Sequence, residues 1–274
     1  MPPLLNNIEH KDLRIGADGG AQPPGLEPDR GGVVAATALQ INRAARLETV
    51  TLDGGAKVFV IDDFVRDPEA LVELARTRAS QFQEVTGHPY PGPQLGLPEG
   101  VTGELANFFE QQMRARLGAR AFLGMFARFG RVTQEATMLN ARQRVCHRDD
   151  AGFPAGEMVA AFVHYLFRDE ALGGTVFFRS SMSDADTAQF WRDANMLDPA
   201  VFGDKYDIPQ GYMTESNRFF EVVGRVPARW NRAIFYDGGI FHSGDIGRAP
   251  PDAYREGMGR LTINAFFKAL RHLA

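Results

Sequence analysis

The stretch "CHRDDAGFP" (Cys146–Pro154) sets His147 and Asp149 one residue apart, ahead of a turn rich in Gly and Pro. A His-x-Asp triplet has two readings. It is half of a metal site, or a polar turn in which the pair is balanced by Arg144 or Arg148. Its surroundings bear on the choice. Upstream, "VTQEATMLNARQRVCH" (132–147) reads as extended chain. Downstream, "MVAAFVHYLF" (158–167) is a nearly unbroken apolar run, as in a strand buried on both faces. Further strands follow in "GGTVFFR" (173–179), "FFEVVGRVP" (219–227), "RAIFYDGGIFHSG" (232–244) and "GRLTINAFFKAL" (259–270).

The first half has another texture. Residues 16–32 are rich in Gly and Pro with little to bury, and 1–32 read as an irregular leader. "LETVTLD" (47–53) and "KVFVIDDF" (57–64) flank a Gly54-Gly55 turn and suit a strand pair. Asp67 offers an N-cap with Pro68 at the first helical position, and Leu71, Leu74 and Ala75 repeat at helical spacing. Residues 102–129 also carry apolar side chains at helical intervals and predict two helices broken near Gly118 or Gly124. Helices early and strands late predict an α+β chain, with a single domain over 33–274. Within it, 33–130 is mainly helical support and 131–270 a β-sandwich or jelly-roll core. Residues 180–218 are an insertion whose length suggests a lid, with a helix from Asp184 to about Asn195.

Composition excludes several classes. Hydrophobic residues make up 44% of the 274, with 21 Phe, enough for a sizeable core. The net charge is −4 and no long Lys/Arg run occurs, so no nucleic-acid footprint is visible. Cys146 is the single cysteine, so an intramolecular disulfide is impossible. Neither a signal peptide nor a long apolar span is legible, and the expectation is a soluble, cytoplasmic protein without membrane contact.

A metal reading of His147-x-Asp149 needs a third ligand. His242, where a strand gives way to Ser243-Gly244, is placed to supply it across a barrel. Two imidazoles and one carboxylate on one face of an octahedral ion form the facial triad of non-haem Fe(II) oxygenases. Arg260 and Thr262, two apart in a strand, share a face. A buried guanidinium beside a hydroxyl is suited to gripping a carboxylate through paired, charge-assisted hydrogen bonds.

With His147-x-Asp149, "VHYLF…GGTVFF" (163–178), "RAIFYDGGIFHS" (232–243) and Arg260-x-Thr262 in order, the chain resembles the 2-oxoglutarate/Fe(II)-dependent dioxygenase superfamily. The resemblance implies a double-stranded β-helix, with Fe(II) held by His147, Asp149 and His242. It also implies 2-oxoglutarate as co-substrate, its distal carboxylate on Arg260 and Thr262. O2 and a small-molecule or peptide/protein substrate would be the other partners. The implied reaction is hydroxylation of a C–H bond, with release of succinate and CO2. Asn140, Tyr165 and Arg144 are further candidate contacts. Position 252, where prolyl and lysyl hydroxylases of the superfamily carry a basic residue, is Asp. Position 266, where its nucleic-acid demethylases carry a second arginine, is Phe. The carboxylate that its halogenases lack is present as Asp149.

Rival readings are a jelly-roll binding module without turnover, and a cupin-like metalloprotein that does not use 2-oxoglutarate. The latter sites favour a His-x-His run, which this sequence lacks. His164, inside an apolar strand, reads as a hydrogen-bonded core or pocket residue rather than a ligand. Cys146 reads as a small buried hydrophobe.

Overall fold

The computed structural model describes residues 39–84, 89–150, 152–247, 251–254 and 257–272. The expected leader, 1–32, lies outside them. Two antiparallel sheets dominate, with few helices. The large sheet has seven strands in the order β1 (Leu47–Thr51), β2 (Lys57–Ile61), β8 (Ala233–Asp237), β5 (Glu157–Tyr165), β10 (Arg260–Arg271), β4 (Ala119–Val132) and β3 (Gln94–Gly96). The small one places β6 (Thr175–Ser180) between β7 (Phe220–Val226) and β9 (Phe241–Gly244).

Side-chain parity assigns each face. On β5, Met158, Ala160 and Phe162 join one core, while Ala161 and Tyr165 join another. Both faces of this strand are therefore apolar, which explains the unbroken run in its sequence. The first core lies against α1 (Pro68–Thr77) and α2 (Glu99–Phe108), with Leu71, Leu105 and Phe109 fully or nearly buried. The second is shared by the two sheets, where Val60, Ile234 and Tyr236 meet Phe177, Val223 and Val226. Helix α1 starts as its sequence predicts: the Asp67 carboxylate accepts from the Ala70 N–H at 3.0 Å, and Pro68 follows.

Three expectations need correction. Residues 33–130 are not mainly helical, because β1 to β3 and most of β4 fall within them. The helical spacing holds through Phe108, Phe109 and Met113, where α2 runs on into a π-helical turn (Phe109–Met113). Gly118, in the left-handed region at φ +74°, then ends it. From Ala119 the chain pairs along the whole of β10, so tertiary hydrogen bonding overrides the local pattern. Residues 133–146 are not a strand either. Two 3-10 turns (Ala136–Met138 and Ala141–Arg144) occupy them, and Asn140 caps the second by accepting from the Gln143 N–H at 3.1 Å.

The insertion is also more than a covering loop. Its helices α3 (Asp184–Met196) and α4 (Pro199–Tyr206) pack Phe190 and Phe202 against Phe220, Phe178 and Phe241 on the outer face of the small sheet. This is a third apolar core. Cys146 is buried in it. Among the described residues no helix is long and apolar enough to cross a membrane.

His164 belongs to the first face of β5, away from Tyr165. Its Nε2 lies 3.0 Å from the Asn231 carboxamide oxygen, and its ring meets the edge of Phe64. The oxygen accepts, so Nε2 carries the proton of a neutral imidazole. Burial pushes its pKa from 6.5 down to about 4. The unfolded chain therefore takes up a proton that the folded one refuses between these values. The contribution is complete above the unfolded pKa and is lost as pH falls toward the folded one. Urea unfolding of the wild type should lose about 2 kcal/mol through this group between about pH 7.5 and about pH 5. His164→Gln should flatten that part of the pH profile, and an unchanged profile would refute the assignment.

Candidate metal centre

Backbone pairing sets the two histidines side by side. An isolated antiparallel bridge joins His147 to His242, with N–H to carbonyl bonds of 2.9 Å in both directions. Their ring centroids are 4.5 Å apart. Asp149 is brought in by the turn between β8 and β9, its N–H donating to the Gly238 carbonyl at 2.8 Å. Glycine is needed there, since a Cβ would lie 2.9 Å from the Val159 oxygen and 3.0 Å from the Asp149 Cβ. The Asp149 carboxylate then sits between the imidazoles, with Oδ1 3.6 Å from His147 Nε2 and Oδ2 3.4 Å from His242 Nε2. One ligand atom from each residue lies within 4.8 Å of the other two.

The donor set fits a divalent cation. His242 Nδ1 is 2.9 Å from the Ile240 carbonyl and must donate to it, which leaves the Nε2 lone pair facing the cluster. Asp149 Oδ2 is buried and has no hydrogen-bond partner among the described residues. Burial pushes the carboxyl pKa up, against the pull of His242 and Arg128. A carboxylate held out of water and short of donors is costly unless a cation meets it. Two imidazoles and a carboxylate suit a first-row ion such as Fe(II). The His147 side chain is 35% exposed against 9% for Asp149, so the cluster opens to solvent on the His147 side.

Arg260 and Thr262 both face the space between the sheets, as their spacing predicts. Thr262 pairs with Tyr165 on one side and Gly130 on the other. Arg260 is buried, and its Nε and Nη2 donate to the carbonyls of Gly173 and Gly174 at 3.0 Å each. Neither glycine tolerates a side chain: a Cβ would lie 1.9 Å from the Asp245 oxygen at one and 2.0 Å from the Val226 oxygen at the other. Nη2 would lie 3.8 Å from a Cβ at Gly244, two residues beyond His242 on β9. The guanidinium thus lies against the strand that carries His242.

The other candidates are more firmly engaged. The Tyr165 hydroxyl shares a 2.8 Å hydrogen bond with Thr175 Oγ1, tying the large sheet to the small one. The Asn140 oxygen is the cap already described. Arg144 is a structural clasp: it donates to the carbonyls of Pro199, Ile208 and Pro209 and fastens the end of α4. Arg255, 13 residues after His242 in a Pro/Asp/Tyr loop, is by sequence a weaker candidate clamp and lies outside the described residues. Residues not singled out from sequence also face the interior. Asn264 Nδ2 donates to Thr262 Oγ1 at 3.0 Å, and the Tyr90 ring lies so close over Gly130 that a Cβ there would meet it at 2.5 Å. The Arg128 guanidinium lies 5.4 Å from the Phe126 and Phe266 rings. Asn264 was open to the same parity rule as Thr262; Arg128 becomes visible only once β4 is a strand.

Residues 43–267 match the model of DUF6445, described as a family of unknown function, and the chain belongs to that family. No curated protein matches it by sequence. Among solved structures it is similar to HygX from Streptomyces hygroscopicus, with nickel and 2-oxoglutarate bound, at 12% identity and a TM-score of 0.41, covering 79% of this chain and 84% of that one. It is also similar to the epimerase SnoN in complex with Fe3+, alpha ketoglutarate and nogalamycin RO (12%, TM-score 0.39, 78% and 81% covered). A third is EvdO2 from Micromonospora carbonacea var. aurantiaca complexed with 2-oxoglutarate (12%, TM-score 0.36, 84% and 96% covered). Likeness this distant transfers no chemistry, so function rests on the residues of this chain.

Removing the Arg144 clasp should leave the buried Ile208 carbonyl, and the part-buried ones of Pro199 and Pro209, without this donor. Arg144→Met should lower stability by about 3 kcal/mol in urea unfolding, as expected for several unsatisfied groups. A loss under about 1 kcal/mol would show that the clasp carries no weight.

Proposed function

We propose that this protein is a non-haem Fe(II), 2-oxoglutarate-dependent oxygenase, acting as a hydroxylase on an amino acid, a peptide or protein side chain, or a small metabolite. The observation that carries the reading is the convergence of His147, Asp149 and His242, with a buried Asp149 oxygen that has no hydrogen-bond partner among the described residues. The two facing sheets are read as a double-stranded β-helix, with 33–274 working as one domain.

His147 Nε2, Asp149 and His242 Nε2 would hold Fe(II), and Arg260 with Thr262 would receive the far carboxylate of 2-oxoglutarate. The bound iron and co-substrate supply the oxidation, in which O2 is consumed, 2-oxoglutarate becomes succinate and CO2, and a substrate C–H becomes C–OH. The chain's own part is placement. Ile240 fixes the His242 tautomer. The Gly173 and Gly174 carbonyls hold the Arg260 fork in one orientation before any anion arrives, which lowers the ordering cost of binding. Tyr165, Phe167 and Phe177 keep the space between the sheets dry. The insertion is proposed to contribute to the site wall through its 209–214 segment, where Ser243 Oγ donates to the Met213 carbonyl at 2.6 Å.

Anaerobic addition of Fe(II) and then 2-oxoglutarate should produce a visible charge-transfer band. His242→Ala should abolish it. Arg260→Ala should keep the iron and weaken 2-oxoglutarate by about 10- to 100-fold, the value of charge-assisted hydrogen bonds. A band of wild-type strength in His242→Ala would overturn the reading. A wild-type response in Arg260→Ala would remove Arg260 from the co-substrate site, and iron binding without any 2-oxoglutarate band in the wild type would favour the cupin-like alternative.

A further inference from the structure

We infer that Asp237 and Arg271 are positioning residues for the metal centre, acting through the turn that joins β8 to β9; the inference rests on the metal-centre reading above. The turn runs from Asp237 to Ile240 and is closed by the Ile240 N–H donating to the Asp237 carbonyl at 3.0 Å. Two of its carbonyls are committed to ligands. Gly238 accepts the Asp149 N–H at 2.8 Å, and Ile240 accepts His242 Nδ1–H at 2.9 Å. Through the bridge between His242 and His147, the third ligand depends on the same turn.

What orients the turn is the Asp237 carboxylate. It accepts the Gly239 N–H at 2.9 Å and a two-pronged grip from Arg271, at 2.7 Å from Nη1 and 3.0 Å from Nη2. Arg271 is itself fixed, its N–H donating to the Gly156 carbonyl at 2.8 Å at the far end of β10. On the other side the Gly238 N–H donates to the Val159 carbonyl at 2.8 Å. The turn has little room to shift: a Cβ at Gly239 would lie 2.7 Å from Asp150 Oδ2. Neither Asp237 nor Arg271 touches the metal cluster. They set the angle at which two peptide carbonyls meet Asp149 and His242, and partners of this kind typically govern metal affinity.

The test uses the full chain and Co(II), titrated by calorimetry and by visible absorption, with thermal melting of the apo-protein measured alongside. Arg271→Met and Asp237→Asn should weaken Co(II) by about 10- to 100-fold and alter the ligand-field band, while apo-protein melting shifts little. Arg271→Lys should recover part of the affinity, since it restores charge without the two-pronged geometry. Wild-type affinity and band in both Arg271→Met and Asp237→Asn, with His242→Ala deficient, would overturn this inference and leave the metal centre standing. Should Arg271→Met fail to fold, Asp237→Asn, with its side-chain size unchanged, decides in the same way. No Co(II) binding by the wild type would overturn the metal-centre reading and this inference with it.

Discussion

The site depends on a carboxylate taken out of water. The Asp149 carboxylate lies between two imidazoles, its Oδ2 buried and without a hydrogen-bond donor among the described residues, so its charge is tolerated only where something nearby is positive. Much of the local architecture follows from that. The β8–β9 turn crowds against Asp149 closely enough to require glycine at 238, and the paired backbone of His147 and His242 closes the other side. A polar turn solvated on the surface would need none of this. The geometry is that of a cluster that could hold a cation.

Much of this arrangement was legible in the sequence because strands obey parity. Arg260 and Thr262, one residue apart on β10, share a face because the chain there is extended, whereas Asp149 sits in a turn just past the His147 bridge. Their long separation in sequence was no obstacle once antiparallel returns were assumed. The error over 119–130 has an equally physical source. Phe122, Met125, Phe126 and Phe129 recur at three- and four-residue intervals, continuing the spacing of the helix before them. β10, far along the chain, pairs with this stretch over its whole length and makes it a strand, and with it Arg128 an interior residue. The misread 133–146 has a local cause, since Asn140 and Gln143 cap each other's backbone and curl the chain into a 3-10 turn.

The insertion shows how one segment can serve two purposes. Phe190, Phe202 and Tyr206 form an aromatic cluster that shields the back of the small sheet, the sheet that carries His242. The Asp193 carboxylate, accepting from Lys205 and Tyr206, binds the two helices to each other. Arg144 joins this unit to the loop leading to His147. A segment that looked like an optional cover is continuous with the support of a ligand strand.

The place of β10 in the large sheet has a consequence for how the protein assembles. It is the latest of the described strands in sequence, yet it lies in the interior of the sheet, between β5 and β4. Until it inserts, β4 and β5 each present an open edge, and neither Arg260 nor Arg271 is in position. Such long-range pairing is slow to find, because loop closure precedes the contacts that reward it. During synthesis the emerging chain would hold its two halves apart until this strand arrives. Arg260 and Arg271 would reach their places beside the site only with this strand, and so would not belong to a folding nucleus.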